Sequence, residues 1–323
     1  MKDLKTLEQE MLVPSEALIR DIAKIEGDIL LLGIGGKMGP SMGKLAVQAC
    51  KAAGIEKRII GASRFSDQKA KKALEEDGIE TIVCDLLDDE KLQSLPDVKN
   101  VIYLAGNKFG TTGNEGFTWA MNAYLPGRVA EKFKNSNIVV FSSGNVLPFV
   151  PVTSGGASEE TAPDPIGEYA QSCLGRERVF EYFAKKNQTK TLIYRLNYAV
   201  DFRYGVLMEI AKSVMSGNPI DLRTSNVNVI WQNDANEIAL RSLLHCESPA
   251  KILNVTGPEI LSIQWVAERF GELFDKAPQF IQLTLGHRQL PPMGQNHQAT
   301  LLGGPSQPRT NRILVDLDDP CRT

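Results

Sequence analysis

The chain is poor in the residues that build metal sites and disulfide frameworks. Among its 323 residues are three histidines, which are far apart, and five cysteines, which form no Cys-x-x-Cys pair. A zinc site needs clustered ligands, and a disulfide framework needs cysteines that can all be paired. We therefore expect no metal, and we expect reduced thiols in a cytoplasmic protein.

A strong charge excess and long apolar runs are also missing. The chain has 36 basic and 39 acidic residues, which gives a net charge of −3. This balance gives no electrostatic reason to expect nucleic acid or an anionic membrane as a partner. No run of about 18 apolar residues is present, so no membrane span is expected. Residues 1–25 mix charges with apolar residues, unlike a signal peptide, and we predict a helical extension over residues 1–27.

The most informative stretch that is present is an apolar run over residues 29–32 that stops at a glycine-rich turn. A buried strand, a glycine turn and a helix are typical of a dinucleotide-binding site. In this pattern the first glycine makes the tight turn, the second lets a pyrophosphate approach and the third lets the helix pack closely. The helix N-terminus then offers N–H groups to the phosphates. A glycine turn that binds nothing is the alternative, which this context disfavours. The candidate cofactor-binding residues of the turn are Gly33, Gly36, Lys37, Met38 and Gly39.

Strand-like and helix-like segments alternate up to about residue 200. This alternation predicts a Rossmann-type, doubly wound parallel α/β sheet over residues 28–200. Residues 201–278 are less regular, and we interpret them as a smaller C-terminal substrate lobe. Residues 279–323 are rich in Gln, His, Gly and Pro. They are expected to form an irregular tail, either a flexible segment or the product of an aberrant reading frame.

The residues after the fifth predicted strand carry a family resemblance. Ser143 ends that strand, and Tyr169 follows after one loop. With the glycine spacing, these residues resemble the extended short-chain dehydrogenase/reductases, the NAD-dependent epimerase/dehydratase family. The resemblance implies a nicotinamide cofactor and hydride transfer on a sugar, a nucleotide sugar or a related polyhydroxy carbonyl compound. It also implies acid–base roles for Ser143 and Tyr169, and family members often form homodimers.

The same resemblance implies further cofactor contacts. They lie after the third, fourth and sixth predicted strands and in the helix that follows the fourth strand. These candidates are Asp85, Leu86, Ala105, Gly106, Asn122 and Asn197.

The residues after the second predicted strand bear on the choice of cofactor. NAD-preferring folds usually place an acidic residue there, whereas this chain has Ser63 and Arg64. A serine and an arginine suit a ribose 2′-phosphate, since the guanidinium makes planar, charge-assisted contacts. We therefore expect NADP, with NAD as the alternative because Asp67 lies nearby.

The chain departs from the family pattern at one catalytic position. The family has a lysine four residues after the tyrosine, and this chain has Cys173. A cation about 4 Å away at an effective dielectric of about 20 would change a tyrosine pKa by roughly three units, and a cysteine supplies no such charge. Tyr169 could then act as an acid or hydrogen-bond donor to a carbonyl, which suits reduction, or Lys108 could supply the cation, with Arg176 as a weaker candidate. The third possibility is a non-catalytic NADP(H)-binding sensor or scaffold protein, which we rank below a modified enzyme.

Overall fold

The computed structural model describes residues 4–108, 110–281 and 309–310. Its centre is a sheet of seven strands in the order β3-β2-β1-β4-β5-β6-β7, and every neighbouring pair is parallel. This is the doubly wound order of a Rossmann-type fold, so the predicted fold class is confirmed. The strands are β1 (Ile29–Leu32), β2 (Ile59–Ser63), β3 (Glu80–Val83), β4 (Asn100–Tyr103), β5 (Asn137–Ser143), β6 (Thr191–Leu196) and β7 (Lys251–Val255).

The central strands are apolar because helices cover both faces of the sheet. All four residues of β1 are buried, and β4 and most of β5 are buried as well. Such strands give continuous apolar runs rather than an alternating pattern. The chain leaves β1 in one direction along the sheet and returns at β4 in the other, which opens a crevice at the carboxyl ends of these two strands.

The described residues contain eleven α-helices. The helical segment that follows β4 begins at Glu115 and contains a π-helical turn over Ala120–Tyr124. The helices are α1 (Leu4–Glu10), α2 (Glu16–Lys24), α3 (Gly39–Ala53), α4 (Gln68–Glu76), α5 (Asp89–Ser94), α6 (Glu115–Trp119), α7 (Leu125–Lys132), α8 (Gly167–Asn187), α9 (Val206–Ser216), α10 (Gln232–Arg241) and α11 (Ile263–Phe274).

Two hydrophobic clusters lie on opposite faces of the sheet. One contains residues of α2, α3 and α10, and the other contains residues of α5, α7 and α8. The N-terminal helix α2 is capped by Ser15, whose side chain accepts a hydrogen bond from the N–H of Leu18. Asp21 of α2 then pairs with Arg241 of α10 at 2.8 Å, so α2 is fastened to the sheet domain.

The C-terminal part of the chain contributes to two layers. Helices α9 and α11 share a separate hydrophobic cluster, and Asn226–Val227 pairs with Leu261–Ser262 nearby. In contrast, α10 packs on α3, and β7 pairs with β6 at the edge of the central sheet. The division of the chain at residues 27, 200 and 278 stays a prediction, and most of the tail predicted from residue 279 lies outside the described residues.

No helix in the described part of the chain is long and apolar enough to cross a membrane. Within the same residues, no group of three or more His, Cys, Asp or Glu side chains could hold a metal ion. Cys50, Cys84, Cys173 and Cys246 are buried free thiols.

Candidate active site

The glycine-rich turn joins β1 to α3, and two of its glycines are required by contacts within the protein. Gly33 has a φ of +89°, and a Cβ atom there would lie 2.8 Å from the backbone nitrogen of Ala105. A Cβ atom at Gly39 would lie 2.2 Å from the carbonyl oxygen of Ile34, which is too close for any side chain. At Gly36 the nearest atom would be 3.4 Å away, an ordinary contact. Packing therefore explains Gly33 and Gly39, whereas Gly36 leaves room for a ligand to approach the backbone.

The N-terminus of α3 is open to an anion. Met38 occupies the N-cap position and makes no side-chain capping hydrogen bond. The first N–H groups of a helix have no partner within the helix and carry a partial positive charge. A dinucleotide pyrophosphate fits such an N-terminus. Next to it, the ammonium of Lys37 lies 4.6 Å from the centre of the Tyr204 ring.

The end of β2 offers a hydroxyl and a guanidinium. The Ser63 Oγ lies against the glycine turn, 2.7 Å from where a Cβ atom of Gly35 would be. Arg64 is exposed, and Asp67 uses its carboxylate to cap α4 through the N–H groups of Lys69 and Ala70. The carboxylate of Asp67 is thus already used in capping α4.

Asp85 and Leu86 follow β3. The Asp85 carboxylate accepts a hydrogen bond from the N–H of Leu87 at 3.1 Å, and the Leu86 side chain is buried. This local turn fixes the orientation of the Asp85 side chain at the carboxyl end of the sheet.

Asn122 is the centre of a buried hydrogen-bond network. Its Oδ1 accepts from the Asn107 N–H and from Arg176 Nη2, each at 2.8 Å. Its Nδ2 donates to the Asn107 carbonyl at 2.9 Å and to the Ser172 Oγ at 3.0 Å. The side chain therefore ties the loop after β4, which contains buried Ala105 and exposed Gly106, to helix α8.

The side chain of Asn197 is also buried and is held by protein atoms. Its Nδ2 donates to the backbone carbonyl of Asn228 at 3.2 Å. It follows β6 and links that strand to the segment after Asn226–Val227.

Ser143 and Tyr169 come together at the carboxyl end of β5. Ser143 ends the strand, where its Oγ accepts a hydrogen bond from the Asn145 N–H at 3.2 Å, and Tyr169 lies in the first turn of α8. Tyr169 packs against a buried cluster that contains Cys173, one helical turn farther on. Burial, followed by the repulsion of a Cys173 thiolate, raises the pKa of Tyr169 above its ordinary value, although Arg176 and Ser143 act in the opposite direction. Tyr169 therefore holds its proton at neutral pH.

Lys108 lies near these groups. Part of its side chain is exposed, but desolvation of the ammonium lowers the pKa, and the charge of Lys37 lowers it further. A Cys173 thiolate would act in the opposite direction, which places Lys108 within electrostatic reach of helix α8. The catalytic roles of Lys108, Ser143 and Tyr169 stay a prediction.

Two buried charged groups of α8 and β6 were not singled out strongly by the sequence. Glu177 accepts hydrogen bonds from Arg195 at 2.7–3.2 Å and from the Ser142 hydroxyl at 2.5 Å. Both members of this ion pair are almost fully buried. The signal that could have found them is the occurrence of a charged residue within each of two otherwise apolar segments.

Comparisons with known proteins agree with this geometry. A family model described as the NAD dependent epimerase/dehydratase family matches residues 29–248, more than half of the chain. No curated protein matches the sequence. The fold is similar to that of UDP-glucuronic acid 4-epimerase from Bacillus cereus in complex with NAD, with a TM-score of 0.65, 18% identity and coverage of 78% of this chain and 86% of that one.

Two further solved structures are similar. UDP-glucose 4-epimerase from Thermus thermophilus in complex with NAD has a TM-score of 0.64 and 20% identity, covering 78% of this chain and 85% of that one. The UDP-Glc/GlcNAc 4-epimerase from Campylobacter jejuni has a TM-score of 0.64 and 19% identity, covering 79% of this chain and 86% of that one. At these identities the likeness concerns the fold.

Proposed function

Since the chain belongs to the NAD-dependent epimerase/dehydratase family, we propose that it is an epimerase-like oxidoreductase acting on a sugar, a nucleotide sugar or a related polyhydroxy carbonyl compound. The observation that carries the proposal is the placement of Ser143 and Tyr169 at the carboxyl end of β5, where Ser143 acts on the pKa of Tyr169. This pair lies on the same edge of the sheet as the glycine turn, where doubly wound folds bind their ligands.

Each site residue has a distinct part in the proposal. When bound, a nicotinamide dinucleotide supplies a hydride acceptor and donor. Tyr169 exchanges the proton of a substrate hydroxyl, and Ser143 orients that hydroxyl and stabilises the ionised tyrosine. Lys108 supplies a cation close to Tyr169, in place of the lysine that the family carries at the position of Cys173.

The cofactor is held by the turn and by the loops after β2, β3 and β4. Gly36 and the open N-terminus of α3 receive the pyrophosphate, and Asp85 faces the adenine. Asn122 and Asn197 support the site indirectly, because their side chains are hydrogen bonded to protein groups. We further propose a preference for NADP, because Arg64 is exposed and Asp67 is engaged as a helix cap. NAD remains the alternative, since the solved epimerase structures from Bacillus and Thermus contain NAD.

Incubation with a panel of candidate substrates tests the proposed activity. The panel contains UDP-glucose, UDP-glucuronic acid, UDP-N-acetylglucosamine and free sugars and sugar acids, each with NAD or NADP, and products are resolved by mass-coupled chromatography. We expect turnover of at least one compound, with a loss of about 100-fold or more in Tyr169→Phe, which retains the ring but loses the proton. Cofactor binding without turnover of any compound would instead favour the non-catalytic sensor or scaffold.

A homodimer is a further proposal. Several large apolar side chains are exposed on the neighbouring segments α6 to α8, and they would be covered if two copies paired through these helices. Light scattering of the purified chain gives the mass that tests this. The exposed residues are Phe117, Trp119, Tyr124 and Tyr182.

A further inference from the structure

Helix α8 carries a buried arginine three residues after Cys173. The side chain of Arg176 is almost fully buried. Its Nη1 donates to the Phe141 carbonyl at 2.6 Å, and its Nη2 donates to the Asn122 Oδ1 at 2.8 Å. Both acceptors are neutral groups, so these bonds do not neutralise the charge of the guanidinium, and its buried Nε has no hydrogen-bond partner among the described residues.

The adjacent carboxylate does not neutralise Arg176 by contact either. Glu177 follows it in the chain, but the Glu177 carboxylate is bound to Arg195 and Ser142. In the described part of the chain, Arg176 makes no contact ion pair. A buried charge without a contact counterion is costly to fold, so its presence at this position calls for a functional reason.

The surroundings of Arg176 are the active site itself. Tyr169, Cys173 and Arg176 are spaced along one face of α8, and the guanidinium lies 5.7 Å from the Tyr103 ring centre. A Cβ atom on Gly106 would lie 2.4 Å from Arg176 Nη2, so the loop after β4 rests directly on the guanidinium. The titratable and charged groups that act on Arg176 or Tyr169 are Tyr103, Cys173 and Glu177, and Lys108 acts on Cys173.

We propose that Arg176 is a positioning residue that supplies the permanent positive charge of the site from one turn farther along α8 than the family lysine. Its Nη groups are bound to Phe141 and Asn122, so it acts on Tyr169 through its field and through the Gly106 loop rather than by touching substrate. An arginine keeps its proton across the accessible pH range, whereas the desolvated Lys108 can lose one. The positive charge that the family places on one lysine is thus divided between Arg176, which is buried and permanently charged, and Lys108, which is partly exposed.

Direct titration of residue 169 tests this proposal. A fluorinated tyrosine is inserted at position 169, which brings the phenol titration into the range where the chain is folded, and fluorine NMR follows the ionisation without cofactor. We expect Arg176→Gln to raise the pKa of this phenol by about one unit. Arg176→Lys, which keeps the charge, should leave it nearly unchanged. Arg178→Gln is the matched control, because it removes the same charge from the solvent-exposed side of the helix, where Arg178 pairs with Glu181.

The remaining outcomes distinguish an electrostatic role of Arg176 from a purely structural one. If Arg176 only holds the fold, Arg176→Gln loosens the site and shifts the phenol pKa downward, toward that of an exposed fluorotyrosine, which would overturn the proposal. The double variant Arg176→Gln/Cys173→Lys restores a cation at the family position and should lower the pKa again. If Arg176→Gln does not fold, Arg176→Lys decides, since a rise of a full unit there would exclude the role of the charge. The proposal uses the assignment of Tyr169 as the proton-exchanging group, but its readout is ionisation, so failure to find a sugar substrate does not affect the result.

Discussion

The glycine turn between β1 and α3 and the catalytic helix α8 meet the same family pattern in different ways. The turn has glycine at each position of the pattern, and Gly33 and Gly39 leave no space for a side chain. The helix keeps Tyr169 but has Cys173 at the lysine position, and we propose that Lys108 and Arg176 supply positive charge instead. Backbone sterics fix the residue type at a position, whereas an electrostatic field can be supplied from several positions. The packed turn is therefore expected to tolerate replacement less than the position of a charge beside a tyrosine.

The largest expected effect concerns the turn. Gly39→Ala places a Cβ atom at 2.2 Å from the Ile34 carbonyl oxygen, so the backbone must move. We expect the free energy of unfolding to fall by about 1–3 kcal/mol or more. Gly36→Ala is the matched variant, with the nearest atom at 3.4 Å. It should fold normally and bind NADH and NADPH more weakly, as measured by thermal unfolding and cofactor fluorescence. Equal stability of the two variants would contradict the claim that packing against Ile34 requires glycine at position 39.

The next effect concerns the catalytic helix. Lys108→Ala should lower turnover about 100-fold, as expected for a group that assists proton transfer. Its unfolding free energy should change by only about 0.5 kcal/mol, since the side chain is partly exposed. Lys108→Arg should recover part of the rate, and Lys69→Ala on the exposed face of α4 serves as a control. An unchanged rate in Lys108→Ala would leave Arg176 as the only cation of the site still supported.

A smaller effect concerns selectivity between cofactors. Arg64→Ser should weaken NADPH binding about tenfold, because one charge-assisted hydrogen bond is lost, and leave NADH binding unchanged. Calorimetric titration of both reduced cofactors measures this, and Arg64→Lys separates charge from the planar guanidinium. NADH that binds the unaltered chain as tightly as NADPH would defeat the preference. Binding of the dinucleotide would then not depend on a contact between Arg64 and a ribose 2′-phosphate.

The smallest effect concerns the support of the turn by α2, which packs on α3. Burial alone would raise the pKa of Asp21, but hydrogen bonds from Arg241 and Lys24 outweigh burial and lower it. Because the folded pKa is depressed, this contribution is complete above the unfolded pKa of about 3.9. It is lost as the pH falls through the folded pKa. Asp21→Asn should cost about 1–2 kcal/mol at pH 7 and less at pH 2.

Chemical denaturation at the two pH values checks this prediction. Glu16→Gln is the matched control, because Glu16 lies on the same helix and its ion pair with Arg20 at 3.8 Å is exposed. If the loss in free energy of unfolding caused by Asp21→Asn does not depend on pH, packing rather than the charge of Asp21 holds α2 in place.

Sequence patterns located the sheet well because its central strands are buried on both faces. Strand β1 coincides with the apolar run over residues 29–32. The π-helical turn over Ala120–Tyr124 was not predicted, since one extra residue in a helical turn hardly alters the apolar period. Nor did the pattern show that β7 pairs with β6, because pairing between distant segments leaves no local trace.

Some features of the candidate site could likewise be predicted from the sequence, and others could not. The glycines could be found from spacing, whereas the family resemblance pointed to Ser143 and Tyr169. The network around Asn122 could not be found from the sequence, because it joins a loop, a π-helical turn and α8 across more than 50 residues. The resemblance named Asn122 as a cofactor contact, whereas its side chain is hydrogen bonded to the protein groups that support the loop.

The sequence by itself determined the Rossmann-type sheet, the nucleotide turn and the presence of Ser143 and Tyr169 near a missing lysine. These features depend on local periodicity and on glycines whose backbone geometry no other residue adopts without strain. Only the tertiary structure showed what surrounds Lys108 and Arg176, the two cations that the sequence offered. An electric field acts through space, so the roles proposed for Arg176 under the Gly106 loop and for Lys108 within reach of Cys173 depend on distance and burial rather than on position in the chain.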